Sequence, residues 1–264
     1  MFLQRFFGEK TPDPRPCANC QGDQRLDFEI RMAFQPVVDA RDRSIYGYEA
    51  LVRTADGGGA AEVLARVRPE QLYRFDQTCR VKAIVTAAEL GLRQRLFVNF
   101  FPNAVYQPAT CIRLTLLAAQ MTGFPTERLV FEAAESEQVR DHAHVSRIFN
   151  DYRSRGFQTA IDDFGAGYAG LPSLIAFQPD LIKLDMGLIR GIDADPVRRA
   201  IVSGIARIGS GIGSTLLAEG VETAAEYRTL RSIGIDLFQG YLFGRPALER
   251  LEPVADATWA SLAE

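Results

Sequence analysis

Eight apolar runs of strand length recur along this chain, at 32–38, 44–53, 96–100, 129–133, 158–162, 181–184, 214–219 and 237–243, and helix-length segments fill most of the intervals between them. Short runs rich in Val, Ile, Phe and Tyr and bounded by turn residues are β-strands. In "FDQTCRVKAIVTAAELGL" and "PVRRAIVSGIARIGSGI" the apolar residues instead recur every three or four positions, which predicts helices, the first closing on Gly91. Strands joined through helices run parallel in one sheet, so most of the chain predicts a parallel sheet covered by helices. The first two runs differ. Only "DARDR" separates them, too little for a crossover, and this predicts an antiparallel hairpin. The expected fold is α/β: a closed (β/α)8 TIM-like barrel with its first strand antiparallel, with a doubly wound sheet as the alternative.

At 264 residues the chain suits one domain of barrel size, and 47% apolar with 24% charged residues is the composition of a soluble globular protein. A net charge of −3 with no basic tract removes any general pull toward a nucleic-acid polymer or an anionic membrane, so a phosphate ligand must be held by local cations or by metal. The opening "MFLQRFFGEK" is interrupted by Arg5, Glu9 and Lys10 before an apolar stretch reaches signal-peptide length, and no later stretch approaches a membrane span. The expected location is the cytoplasm. Residues 1–24, rich in Pro, charge and small polar residues, read as a flexible arm ahead of a barrel over 25–264.

That arm carries Cys17 and Cys20 as a CxxC, two of the four thiolates a structural zinc needs, without the strand and helix of a redox motif. Free thiols in a reducing arm are expected, with a zinc shared between subunits as the alternative. Cys79 and Cys111 are expected as buried free thiols. His142 and His144, two apart on a helix, diverge and are accompanied by no acid cluster, so they are expected at the surface.

At or near the C-terminal end of each strand after the first stands one polar residue: Glu49, Asn99, Glu132, Asp162, Lys183, Glu219 and Gln239. In a barrel these ends share one rim, where active sites lie. Glu49, Glu132, Asp162 and Asp163 would then meet, and four carboxylates at that density need a compensating cation. With Asn99 adding a neutral carbonyl and no His or Cys among the donors, an all-oxygen set favours Mg²⁺, Mn²⁺ or Ca²⁺ over zinc. Adjacent acids at 162 and 163 would reach two ions, a pairing suited to in-line attack of water on a phosphodiester. Glu219 would be the general base or a ligand of the second ion. Lys183 would orient the attacking water or offset developing charge. Lys183 stands inside the apolar "LIKLD", where an unpaired ammonium is costly, so a carboxylate partner is expected for it.

The stretches that carry these residues, "FQPVVD", "YGYEALVR", "FVNF", "FEAAES", "IDDFGAGYAGL", "PDLIKLD", "LLAEGVET" and "FQGYLFGRP", in this order resemble the EAL-domain cyclic-di-GMP phosphodiesterases, a family named for the triplet Glu49-Ala50-Leu51. The resemblance covers roughly Phe34 to Pro246, and "YGYEALVR" with "IDDFGAGYAGL" is similar to the branch paired with blue-light sensor domains. None of these 264 residues reads as such a sensor.

The resemblance implies a barrel that hydrolyses cyclic di-GMP to linear pGpG with Mg²⁺ or Mn²⁺, two ions in all, with Ca²⁺ inhibitory. It implies Glu49, Asn99, Glu132, Asp162 and Asp163 as metal ligands, with Lys183 and Glu219 at the attacking water. Gln35, Leu51 and Arg53 would contact substrate, Arg53 at a phosphate, while Glu222 and Gln239 support the guanine side and Asp185 sits near Lys183 and helps to fix it. The loop from Asp163 to about Leu174, anchored by Glu135, would couple metal binding to dimer contacts. A homodimer and a regulatory protein partner follow from the same resemblance. Ala134 and Ala166 stand where family members carry Thr, which removes hydroxyls near the loop but no ligand.

Two other functions fit a barrel of this kind. A non-catalytic cyclic-di-GMP receptor would be marked by lost ligands or a lost Glu219, and none is missing. A glycosidase uses two carboxylates and commonly stacks sugars on aromatics. The single tryptophan, Trp259, lies past the last strand, and the acids here exceed such a pair.

Overall fold

The computed structural model describes residues 26–105, 107–134, 142–167 and 170–262. The CxxC of the arm and Glu135 lie outside the described residues. β1 (Ile30–Asp39) and β2 (Ser44–Thr54) form the expected antiparallel hairpin, with Gln35 paired to Glu49. Six strands follow: β3 (Arg95–Asn99), β4 (Leu129–Ala134), β5 (Gln158–Phe164), β6 (Leu181–Leu184), β7 (Thr215–Ala218) and β8 (Leu237–Gln239). From β2 onward each is parallel to the one before, and β8 closes the barrel by pairing antiparallel with β1 at Val37, Val38 and Asp39. A two-residue strand, β9 (Ala247–Leu248), pairs with Ala33 and Phe34 of β1.

The last strand is shorter than its apolar run suggests. After Gln239 the chain turns at Gly240, where any Cβ would collide with the backbone of Val221. Val221 donates its N–H to the Gln239 carbonyl, and Leu242 donates to the Val221 carbonyl. Beyond Gln239 the ladder is thus replaced by the loop that follows β7, at Leu242, and by a turn in which Phe243 N–H donates to the Gly240 carbonyl.

Alternation of side chains across a strand separates two apolar cores. Outward residues such as Phe131, Ile161, Ile182 and Phe238 pack against the surrounding helices. Inward, Val37, Phe97, Val130, Ala160, Leu181, Leu217 and Leu237 fill the barrel. β2 contributes Gly47 to that layer, because the Phe97 ring and the Arg95 carbonyl oxygen each lie 2.7 Å from where its Cβ would be. The next inward residue toward the rim, two positions along each strand, is Gln35, Glu49, Asn99, Glu132, Asp162, Lys183, Glu219 or Gln239. An apolar plug therefore floors a layer made wholly of polar side chains.

The helix Leu72–Glu89 packs on β1 and β3 and buries Asp76 and Arg80 as an ion pair of 2.5 Å. Among the described residues no helix is long and apolar enough to cross a membrane. The free thiol of Cys111 is buried and that of Cys79 partly so. His144 is half-buried and bonded to the Val105 carbonyl at 2.6 Å, so it is less of a surface residue than its sequence suggests.

Gly47→Ala is expected to destabilise the fold by roughly 1–3 kcal/mol, the usual cost of overpacking a well-filled core. Urea unfolding of the two proteins measures it. An unchanged midpoint would mean that the Phe97 ring does not occupy this gap.

Candidate active site

The polar layer is organised around Lys183. Its Nζ lies 2.7 Å from Glu219, 2.8 Å from Glu132, 2.9 Å from Asp162 and 3.6 Å from Glu49, and the lysine side chain is fully buried. Burial alone would drive an ammonium toward its neutral form, but the charges of Asp162, Glu132, Glu219 and Glu49 prevail and hold the Lys183 pKa well above its ordinary value. Lys183 thus stays protonated. Glu132, also fully buried, has its pKa raised well above the ordinary value by loss of water, only partly countered by Lys183. Glu219 is raised likewise, first by burial and then by the charge of Asp162.

A β-bulge sets the acids on β5. Ala160 and Ile161 pair with Leu181 and Ile182, but the next pair is Phe164 with Leu184, so β5 carries one residue more than β6 there. The extra position is taken up where Asp163 adopts a left-handed backbone with φ 54°. In a regular strand adjacent side chains point to opposite faces. Here Asp162 and Asp163 serve one site: carboxylate oxygens of Asp162, Asp163 and Glu219 lie within 4.8 Å of one another. A second trio, Glu49, Glu132 and Asp162, is equally close, and Asp162 belongs to both. Burial, then the charge of Asp162, pushes the Asp163 carboxyl up to about 6.

Amides orient the acids from the side. Gln239 Nε2 donates to Glu49 at 2.7 Å and to Gln35 Oε1 at 3.2 Å, while Gln35 Nε2 donates to the Gly244 carbonyl at 3.1 Å. Asn99, exposed at the rim, donates Nδ2 to Glu49 at 3.0 Å and to Glu132 at 3.4 Å. Its carbonyl oxygen is left for another partner.

Above this layer opens a cleft of about 250 Å³, lined in part by Gln35, Glu49, Leu51, Asp163, Asp185, Glu219, Glu222 and Gln239. Eight residues singled out in the sequence thus meet around one opening. Arg53 follows Glu49 and Leu51 on the same strand face, half-buried, with its Nη1 on the Val52 carbonyl. Asp185 does not anchor Lys183: its carboxylate accepts the Gly187 N–H at 2.7 Å, and the lysine is held by the four acids of the layer below.

The cleft also shows residues that sequence reasoning missed. Arg190 pairs with Glu222 through both terminal nitrogens, one contact at 2.8 Å, and holds that carboxyl below its ordinary range. Tyr241, half exposed, lines the wall with Arg245 stacked 4.0 Å from its ring centroid. No local signal marks them, since their partners are set by loop packing rather than by strand period.

The layer fits divalent cations. Once all are ionised, five carboxylates and one ammonium carry four negative charges, the charge of two such ions. Bound cations would favour that ionised state over the raised pKa values of Glu132, Glu219 and Asp163. All the donors are oxygen, and Glu132 Oε1, though close to Lys183, has no well-aligned hydrogen bond of its own. Residues 22–246 match the EAL domain. The chain belongs to the EAL domain family.

This EAL domain is similar to a standalone EAL protein from Vibrio cholerae O395 solved with cyclic di-GMP bound, at 49% identity over 89% of this chain and 99% of that one, with a TM-score of 0.86. It is also similar to Klebsiella pneumoniae BlrP1, solved as a manganese and cyclic-di-GMP complex, at 33% identity over 88% of this chain and 59% of that one, with a TM-score of 0.81. The blue light- and temperature-regulated antirepressor BluF of Escherichia coli K12 is 29% identical over 84% of this chain. The chain spans 56% of BluF's length and about a third of several other relatives.

Removing the central ammonium is the direct test of this electrostatic arrangement. Lys183→Met should destabilise the protein in chelator by roughly 3–5 kcal/mol, the cost of leaving buried charges without their partner. Excess Mg²⁺ should restore much of that loss. Denaturant unfolding with and without Mg²⁺ measures both, and wild-type stability in chelator would contradict the assigned role of Lys183.

Proposed function

We propose that this EAL domain hydrolyses cyclic di-GMP to linear pGpG, lowering the level of that second messenger, with two Mg²⁺ or Mn²⁺ ions. The observation that carries this reading is the pair of carboxylate trios sharing Asp162 beneath an open cleft. Glu49, Glu132 and Asp162 would hold one ion, with the Asn99 carbonyl beside them. Asp162, Asp163 and Glu219 would hold the other. When bound, two such ions supply an activated water and stabilise charge on the phosphoryl and leaving oxygens.

The protein's own groups have distinct tasks in this scheme. Lys183, kept protonated by its neighbours, is a donor and a charge rather than a base; it orients the water and offsets negative charge as the phosphodiester is attacked. Proton acceptance then falls to a carboxylate. Glu219 would be that base or, as a member of the second trio, a ligand of the second ion; its place at the cleft, 2.7 Å from Lys183, supports either role. Arg53 would meet a phosphate at the mouth, with Gln35 and Leu51 against the substrate. Glu222 and Gln239 would face the guanine side, and Gln239 also fixes Glu49.

A homodimer is part of the same reading. The helix Gly170–Phe177, which follows the loop after β5, exposes Leu171 at 51% and Ile175 at 82%, and the helix Pro196–Ile212 exposes Val197 at 65% and Ile201 at 47%. Burying such residues against a second copy would link the dimer to the Asp163 bulge, with Glu135 as the anchor of the intervening loop. Ile175→Glu should shift the chain toward monomer in sedimentation. The same sedimentation profile for both proteins would remove this face from the interface.

Purified protein incubated with cyclic di-GMP should yield pGpG by chromatography in Mg²⁺ or Mn²⁺. In Ca²⁺ it should bind the nucleotide without turning it over, because a larger and looser coordination sphere places the water poorly. Glu49→Ala should reduce turnover to background. Binding without product in any of the three metals would make the protein a receptor, and full activity of Glu49→Ala would refute the ligand assignment.

A further inference from the structure

Behind the barrel wall, on the side away from the cleft, the ion pair of the helix Leu72–Glu89 is built around the backbone that carries two of the acidic layer's members. Asp76 and Arg80 are 1% and 0% exposed. Asp76 Oδ1 accepts the backbone N–H of Phe101 at 2.9 Å, two residues past Asn99. Its Oδ2 accepts from Arg80 at 2.5 Å and from Gln77 at 3.2 Å. Arg80 also donates to the Tyr152 hydroxyl at 2.9 Å, and its guanidinium lies 5.2 Å from the Phe100 ring and 5.5 Å from the Phe131 ring. Phe100 directly follows Asn99, and Phe131 directly precedes Glu132. Phe100 N–H in turn donates to the Glu132 carbonyl at 3.0 Å.

These charges are an expensive way to fill a core, since apolar residues of similar volume commonly serve stability as well or better. What an apolar pair would not supply is the acceptor for Phe101. β3 ends at Asn99 and the chain turns at once into Pro102–Ala104, so the Phe101 N–H has no ladder partner; Asp76 fixes the direction in which the strand end leaves the barrel. We infer that Asp76, charge-balanced by Arg80, is a positioning residue for the metal site: its bond to the Phe101 amide sets Asn99, and through the Phe100 to Glu132 backbone bond also Glu132, in ligating position. This rests on the divalent-metal reading of the site.

Mn²⁺ binding to the full chain without nucleotide, read as free Mn²⁺ by electron paramagnetic resonance, separates the roles. Asp76→Asn with Arg80→Met removes both charges but keeps an acceptor for Phe101, and should bind Mn²⁺ nearly as the wild type does. Asp76→Leu with Arg80→Met removes the acceptor too, and should bind about 10–100-fold more weakly, the range typical when a group supporting a ligand is lost. A merely structural pair would move the melting temperature and leave Mn²⁺ affinity alone; equal affinity of the two folded double variants therefore overturns the inference. Should the leucine variant fail to fold, the unmutated protein still decides. If the Phe101 bond favours metal binding, metal must by linkage favour the bond, and amide exchange at Phe101 should slow on addition of Mg²⁺. Unchanged exchange under saturating Mg²⁺ overturns the proposal. A wild type that retains no Mn²⁺ at all would instead remove the metal reading itself, and the inference with it.

Discussion

The contact on which the site depends is the buried ammonium of Lys183 among Glu49, Glu132, Asp162 and Glu219. Each of these groups, taken from water alone, would cost several kcal/mol. Together they are tolerable because strands from around the barrel bring opposite charges to one axis. β2, β4, β5 and β7 supply the acids and β6 the lysine, so the arrangement exists only when the sheet closes. The same closure leaves an excess of negative charge, since five acids face one ammonium. That excess would give the layer affinity for cations, while Lys183 holds the acids together without them.

Beneath this layer the barrel is a packed apolar plug, and the division between the two is one step of strand alternation. Leu181 faces the plug and Lys183 faces the acids; Val130 and Glu132, and Ala160 and Asp162, divide in the same way. A dry floor strengthens every electrostatic interaction above it by excluding water from one side. The bulge in β5 breaks that alternation at the acids. It bends the strand there and places Asp163 beside Asp162 instead of on the helix side of the sheet.

Support for the acids comes from two directions with different chemistry. From the side, Gln35 and Gln239 form a short amide chain that ends on Glu49, joining β1, β2 and β8 at their shared rim. From behind, Asp76 and Arg80 grip the backbone after Asn99 and the rings next to Asn99 and Glu132. Both devices hold side chains at strand ends, where a ladder no longer restrains the chain. The cleft wall is held instead by ion pairs and stacking between loop residues such as Arg190 with Glu222 and Tyr241 with Arg245.

Much of this is written locally. Period-two alternation in "YGYEALVR", "LFVNF", "LVFEA" and "LIKLD" already determines that Glu49, Asn99, Glu132 and Lys183 share a face with apolar neighbours, and the short "DARDR" turn already determines an antiparallel start. These features depend on residues a few positions apart, and their physics is that of one strand or one turn. Other features depend on closure. That Lys183 would face four carboxylates, that Gln239 would reach Glu49 across 190 residues, and that Arg190 would pair with Glu222 follow from which strand ends and loops become neighbours. Asp163 shows the boundary most clearly: the sequence singles out both Asp162 and Asp163 as candidate ligands, yet alternation alone would turn Asp163 to the other face. Only the mismatch in pairing between β5 and β6, absorbed by a left-handed residue, brings both acids to one site, because register is a relation between two strands and no single strand carries it.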